Sequence, residues 1–253
     1  MDTKTKNEVV DTSSHEDSMT RIRIDTPDQR LPLGLSIEIT GGRALGIKDA
    51  NTELPFHHTE IFSTADSFQT AVEFNIMLGQ RPLARDNQTL CRIRVRDIKW
   101  SSAGTPKVKV VFDMNKEGFL TVAVDNMDRD HNKAIVVAAV EHITQEDLDI
   151  LAKNEADQHD QDEFYRHHIE AMLEGYRLLG KTADLYTYAK RKMSYGQKRH
   201  YKRLRKNLEK ALDVMPPDAT PSTSQILTQA MKDLEDEIPN LRLVKREVMK
   251  WYE

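Results

Sequence analysis

An antiparallel β-sandwich followed by a helical segment and further C-terminal helices is the fold class that this sequence predicts, and three observations carry it. Between Leu31 and Asp125, short runs place an apolar residue at every second position, the period of strands with one buried face. Turn residues punctuate those runs at close intervals, the spacing of an all-β domain. At Thr144 the period changes from two to between three and four, and no proline interrupts it before Pro216.

The strands follow in order. Leu33, Leu35, Ile37 and Ile39 alternate with Gly34, Ser36 and Glu38, and the run stops at Thr40-Gly41-Gly42. Glu60 to Asp66 is the next candidate. Val72, Phe74, Ile76 and Leu78 repeat the alternation up to Gly79, and Cys91, Ile93 and Val95 alternate with Arg92, Arg94 and Arg96. That arginine row is a solvated face which also discourages edge pairing. Val108, Val110 and Phe112 lead through a turn at Asn115 to Gly118 into Leu120, Val122 and Val124. After a polar turn from Asn126 to Asn132, the apolar run Ala134 to Val140 closes the series.

Thr144 to Asp147 has the form of a helix N-cap, a hydroxyl with an acid three residues on, and Leu148, Leu151 and Ala152 follow at helical spacing. Phe164, Met172, Tyr176 and Leu179 continue the pattern, and no proline intervenes before Pro216. Charge is unevenly spread here. Glu141 to Glu174 holds eleven acidic residues against Lys153 and Arg166, whereas Lys190 to Lys210 holds ten basic residues against Glu209. Tyr201, Leu204, Leu208 and Leu212 make the basic run an amphipathic helix that packs back on the acidic one. A sharper alternative for Lys190 to Lys210 is a contact with nucleic acid or a ribosomal surface, aided by Tyr195 and Tyr201. Pro216-Pro217 to Ser224 reads as a linker, with helices expected over Gln225 to Ile238 and Leu241 to Trp251.

Composition excludes several function classes. A net charge of -4 gives no global pull toward nucleic acid or membrane. No apolar stretch is long enough to span a bilayer, and Met1 to Met19 is polar and mixed in charge, so the expected location is cytoplasmic. The single cysteine, Cys91, falls on the apolar face of a strand and reads as a buried structural thiol. There is no P-loop, dinucleotide fingerprint or paired-cysteine zinc pattern, so no catalytic residue, cofactor or metal is expected and the chain is read as not an enzyme. The neighbours His57-His58 and His167-His168 point their rings in different directions and read as surface pairs.

The segments LPLGLSIEITGG (Leu31 to Gly42), EIFSTAD (Glu60 to Asp66), QTAVEFNIMLGQRPLARDNQTL (Gln69 to Leu90), GTPKVKVVFD (Gly104 to Asp113) and GFLTVAV (Gly118 to Val124) together resemble the peptide-binding half of the 70-kDa heat-shock chaperones, the DnaK family. The resemblance runs from Pro32 to about Gly180. It implies a sandwich that holds an extended peptide by main-chain hydrogen bonds, with one central side chain in an apolar pocket. The positions that match the pocket are Ile37, Ile39, Phe62, Val72, Phe74 and Val108, with Gln69 near the groove and Thr40 and Ala65 forming an arch over the peptide. Phe74 and Val108 stand where the family usually has isoleucine, and Thr40 replaces a usual methionine, so the pocket is reshaped and the arch shortened. The positions of the family's ionic latch are Ala103, Ser67, Tyr176 and Gly180, none of which can form an ion pair. Asp25 to Gln29 lacks the apolar run of the family's interdomain linker, and no ATPase half is expected ahead of it.

On this reading residues 1–29 form a flexible tail, 30–141 the peptide-binding sandwich, 142–214 a helical lid, and 215–253 a linker with C-terminal helices. The expected function is binding of extended hydrophobic segments of unfolded polypeptides without an ATPase of its own, and a separate ATPase chain in trans is a candidate partner. The alternative is an assembly or adaptor subunit that keeps the sandwich and docks on a fixed protein or nucleic-acid partner. The resemblance also implies a taste for apolar cores flanked by cations. Arg21-Ile22-Arg23-Ile24 in the tail is therefore a candidate occupant of the chain's own groove.

Overall fold

The computed structural model describes residues 19–128 and 134–249. The chain divides into two compact units between His159 and Asp160. In the first, ten strands form two five-stranded sheets: β1 (Met19–Ile24), β2 (Leu35–Ile39), β3 (Arg43–Lys48), β4 (Phe56–Phe62), β5 (Ala71–Leu78), β6 (Gln88–Arg96), β7 (Val108–Met114), β8 (Phe119–Asn126), β9 (Ala134–Ala139) and β10 (His142–Ile143). The sheet orders are β10-β1-β8-β7-β4 and β3-β2-β5-β6-β9. Every pairing is antiparallel except that of β1 with β10. The alternation read from the sequence turns one row of side chains from each sheet into a shared core. Ile37, Ile76, Ile93, Val110, Phe112, Leu120 and Val122 are all fully buried there.

The first strand corrects the sequence reading. Residues 19–24 are not part of a flexible tail: β1 pairs with β8 from Met19↔Ala123 to Arg23↔Phe119, and Ile22 and Ile24 are fully buried. Arg21-Ile22-Arg23-Ile24 is thus a structural strand and cannot at the same time lie in a groove. Its alternation was the signal, with isoleucines in the core and arginines out, where the Arg21 guanidinium sits 4.1 Å over the Phe119 ring. Gly118 makes the fit possible. With φ +81 it closes the β7–β8 turn, and a Cβ there would lie 2.2 Å from the Ile24 carbonyl oxygen. Strand β3 also went unread, because Leu45 and Gly46 are exposed and break the alternation. The lead residues 1–18, the expected turn beyond 128 and the end of the last expected helix lie outside the described residues.

Helix α1 (Gln145–Asp157) belongs to the sandwich unit and buries Leu148 in its core. Its N-terminus is the capping box that the sequence indicates. Thr144 Oγ accepts from the Asp147 amide and the Asp147 carboxylate accepts from the Thr144 amide at 3.0 Å. Those bonds, led by the Thr144 hydroxyl, hold the Asp147 carboxyl below its usual range. Asp25, just beyond β1, is also held low, chiefly by its hydrogen bond with His142, and it accepts from the Gln145 amide at 3.1 Å. Cys91 is fully buried, and burial pushes its thiol up to about 12.

The second unit holds α2 (His159–Ala189), α3 (Tyr195–Leu212), α4 (Pro221–Glu235) and α5 (Ile238–Met249). Tyr201, Leu204, Leu208 and Leu212 form the buried face of α3, as their spacing predicts. Gly175 of α2 lets that face approach: a Cβ there would meet Leu212 at 3.0 Å. The expected linker is mostly structured, because Thr220 caps α4 and Pro221 opens it, so the helix starts before Gln225. His168 is not a surface residue. It is buried, with Nδ1 2.6 Å from Ser224 Oγ, and burial lowers its pKa. His57 lies on β4 against Asp113, and His58 lies 3.3 Å from Glu60.

Candidate functional site

Register shifts interrupt the pairing at Leu35/Ser36, Ile76/Met77 and Arg92/Ile93, and β2 and β5 part altogether. Those strands pair from Leu35↔Leu78 only as far as Ile37↔Ile76. Beyond that point Glu38 and Ile39 pair only with β3, and residues 71–75 pair only with β6. The facing edges of β2 and β5 therefore have no strand partner among the described residues, and main-chain donors and acceptors stand open along both. Asn75 spans the gap by donating through Nδ2 to Glu38 Oε2 at 2.9 Å, while its own buried side-chain carbonyl lacks a partner among the described residues.

This divergence opens a cleft of about 530 Å3. Seven of the nine sequence-predicted site residues line it: Ile39, Thr40, Phe62, Ala65, Gln69, Val72 and Phe74. Ile37 and Val108 do not. Both are fully buried in the sandwich core, where they support the cleft without facing it. Phe62 at the end of β4 and Phe74 on β5 form the apolar part, their ring centroids 5.4 Å apart and tilted by 53°. Phe74 is only 4 % exposed, so its ring fills space between the sheets. Val72 is half-buried one turn of the pleat away, and Thr40 stands exposed at the rim.

Residues 63–70 form the opposite wall, and a second loop, 97–104, braces them. The amide of Phe68 donates to the Ser101 carbonyl at 2.8 Å, that of Gly104 to the Thr64 carbonyl at 3.1 Å, and that of Ala103 to Ser67 Oγ at 3.1 Å. Gln69 accepts from the Asp66 amide at 3.2 Å, so its side chain shapes the loop as well as the cleft. Phe68 and Trp100 stack at 5.0 Å on the outside of this support although both are largely exposed. On the helical unit, Tyr176 is exposed and a Cβ on Gly180 would meet open space.

Sequence reasoning missed the polar share of the cleft. Glu38, Glu73, Asn75 and Arg92 also line it, and Glu73 is held by Arg94 at 2.6 Å across the β5–β6 pair. Their signal was the polar half of each alternating strand, which ordinarily faces bulk water. Nothing in a period of two marks where neighbouring strands separate, so the open edges were invisible from sequence.

Among the described residues no His, Cys, Asp and Glu cluster could hold a metal ion, and no helix is long and apolar enough to cross a membrane. The family model described as Hsp70 protein matches residues 28–241.

Proposed function

Because this chain belongs to the Hsp70 family, we propose that its chaperone-like role is to grip extended polypeptide segments in the sandwich cleft. One observation carries the reading: two strand edges open toward each other beside a floor of aromatic side chains. An extended segment satisfies such edges through its own main chain, whatever its sequence, while one apolar side chain chooses the register. Ile39, Val72 and Phe74 supply the apolar contact, with Phe62 behind them. Thr40 and Ala65 arch over the backbone, and Gln69 holds the loop beneath the arch. Ile37 and Val108 act from below by fixing the strands. A buried leucine or isoleucine contributes about 1.5 to 3 kcal/mol. The helical segment 142–214 serves as the lid, clients are unfolded chains, and the work is done in the cytoplasm without hydrolysis of ATP by these residues.

Val72→Phe tests the cleft. The larger ring occupies the space meant for the client side chain, so affinity for a fluorescent leucine-centred peptide falls at least about tenfold, or about 1.4 kcal/mol. Far-UV circular dichroism stays unchanged, because Val72 is only half-buried. Equal affinities for variant and parent would sink the reading. Phosphate release from ATP should stay at the buffer level in the same preparation. A peptide array then separates general gripping, which gives many apolar hits, from the adaptor alternative, which gives none and retains one tight partner.

A further inference from the structure

The exposed face of α3 is the most strongly charged surface described in the second unit, and the peptide reading makes no use of it. At 100° per residue, Tyr195, Arg199, Lys202, Arg203 and Lys206 fall within a stripe about 100° wide and about 16 Å long. The stripe lies directly opposite the buried Tyr201, Leu204 and Leu208. All five residues are exposed, Tyr195 by 80 %. The helix carries one acid, Glu209, and it is diverted to Arg205 at 2.8 Å, off the stripe. Among the described residues no carboxylate pairs with Arg199, Lys202, Arg203 or Lys206. Arg203 reaches only His200, at 3.1 Å.

We propose that this face of α3 binds single-stranded nucleic acid through its phosphates. Charge complementarity calls for a polyanion, and three observations choose among polyanions. The apolar side of α3 is consumed in the helical core, so the helix has no face left to enter a bilayer, which a membrane-surface helix needs. The stripe offers point charges and guanidinium forks without the amide side chains that pair with adenine, so it is suited to holding a backbone more than to reading a mixed sequence. Tyr195, at the end of the row of cations, presents a free ring on which a base can stack, and a single strand leaves its bases open for stacking. Binding through this face is independent of sequence and of the sandwich cleft.

The test is fluorescence anisotropy of the full chain with a labelled oligouridylate of about 16 nucleotides. The parent should bind with a Kd of about 1 to 100 µM near physiological salt, and log K should fall with log salt at a slope of about -3, as four phosphate contacts require. Lys202→Glu with Lys206→Glu should weaken binding at least tenfold at unchanged helicity, whereas Lys202→Arg with Lys206→Arg keeps it. Tyr195→Ala should weaken it about fivefold or more without altering the salt slope, the loss of one stacked base. Should the charge reversal disturb the helix, Arg199→Gln reads the same contact with a lower slope. Equal binding by parent and charge-reversed protein overturns the proposal. So does polyglutamate competing as well as unlabelled oligouridylate, which would point to acidic protein. Binding to phosphatidylserine vesicles without binding to the oligonucleotide overturns it in favour of a membrane surface.

Discussion

The sandwich and the helical unit achieve the same end, a dry core, by opposite means. In the sandwich several of the strand pairings join residues far apart in sequence. Arg21 is paired with Thr121, Phe62 with Val108, and Arg23 with His142. In the helical unit most of the order is local. Capping boxes at Ser194 and Thr220 start two of its helices, and leucines three and four residues apart finish each buried face. The difference shows in what each can spare for function. A sheet can let two strands part and remain a sheet, because each keeps its other neighbour; the cleft is made this way. A helix satisfies its own backbone, so what it has to spare is a face, and α3 turns that face into a row of cations.

The largest effect that would break this contrast is in β1. Ile22→Asp puts a charge where exposure is zero and where the strand is held between β8 and β10. We expect a loss of more than about 4 kcal/mol, enough to unfold the sandwich at room temperature. Hydrogen exchange read by mass spectrometry should show β-strand peptides exchanging freely while those of α3 keep their protection. Loss of protection in both would mean that the helical unit depends on the sandwich for its fold.

Acid sharpens the contrast. His168 is buried and its pKa is lowered, so the unfolded chain, with an ordinary pKa of about 6.5, binds the proton more readily than the folded one. Stability from this group is complete above about pH 6.5 and is lost as pH falls from there through the folded value. In the sandwich, Asp25 and Asp147 are the lowered groups, and their share is lost only as pH falls below the ordinary carboxyl value of about 3.9. Protection of α2 and α4 should therefore decline between about pH 7 and pH 5 while the strands hold. His168→Gln should flatten that decline. Parallel loss in both units over this range would remove His168 from the explanation.

The smallest effect expected is at the sandwich's helical edge. Thr144→Ala removes the hydroxyl from a complete capping box and should cost about 1 kcal/mol, seen in urea unfolding as a modest shift of midpoint with an unchanged slope. A change in slope would mean that α1 had come away from the strands.

What could be read from the sequence follows the same division. Strands β2 and β5 to β8 announced themselves by alternation, and Thr144 announced α1, because each signal lies within a few residues of what it builds. Leu204, Leu208 and Leu212 named the buried side of α3 for the same reason. Strand β1 alternates as well as any other, but its polar lead and its distance from β8 made it look like a tail. Pro221 falls within the stretch whose composition reads as a linker, although Thr220 before it is a good cap. His168 looked exposed beside His167, since adjacent helix positions seldom tell which one faces inward. The residues matching a peptide site converge for the most part, yet the opening they line comes from strand separation, a property of pairs of strands that neither sequence carries alone.

Strand β1 has a further consequence, for the order of events in synthesis. Its residues leave the ribosome a hundred positions before the β8 residues with which they pair. During that delay Ile22 and Ile24 have no core to enter, and pairings this distant are slow to form. The arginines at 21 and 23 are interleaved with those isoleucines, the placement of charge that generally discourages like strands from pairing. The first of the described strands thus waits for a partner made about a hundred residues later.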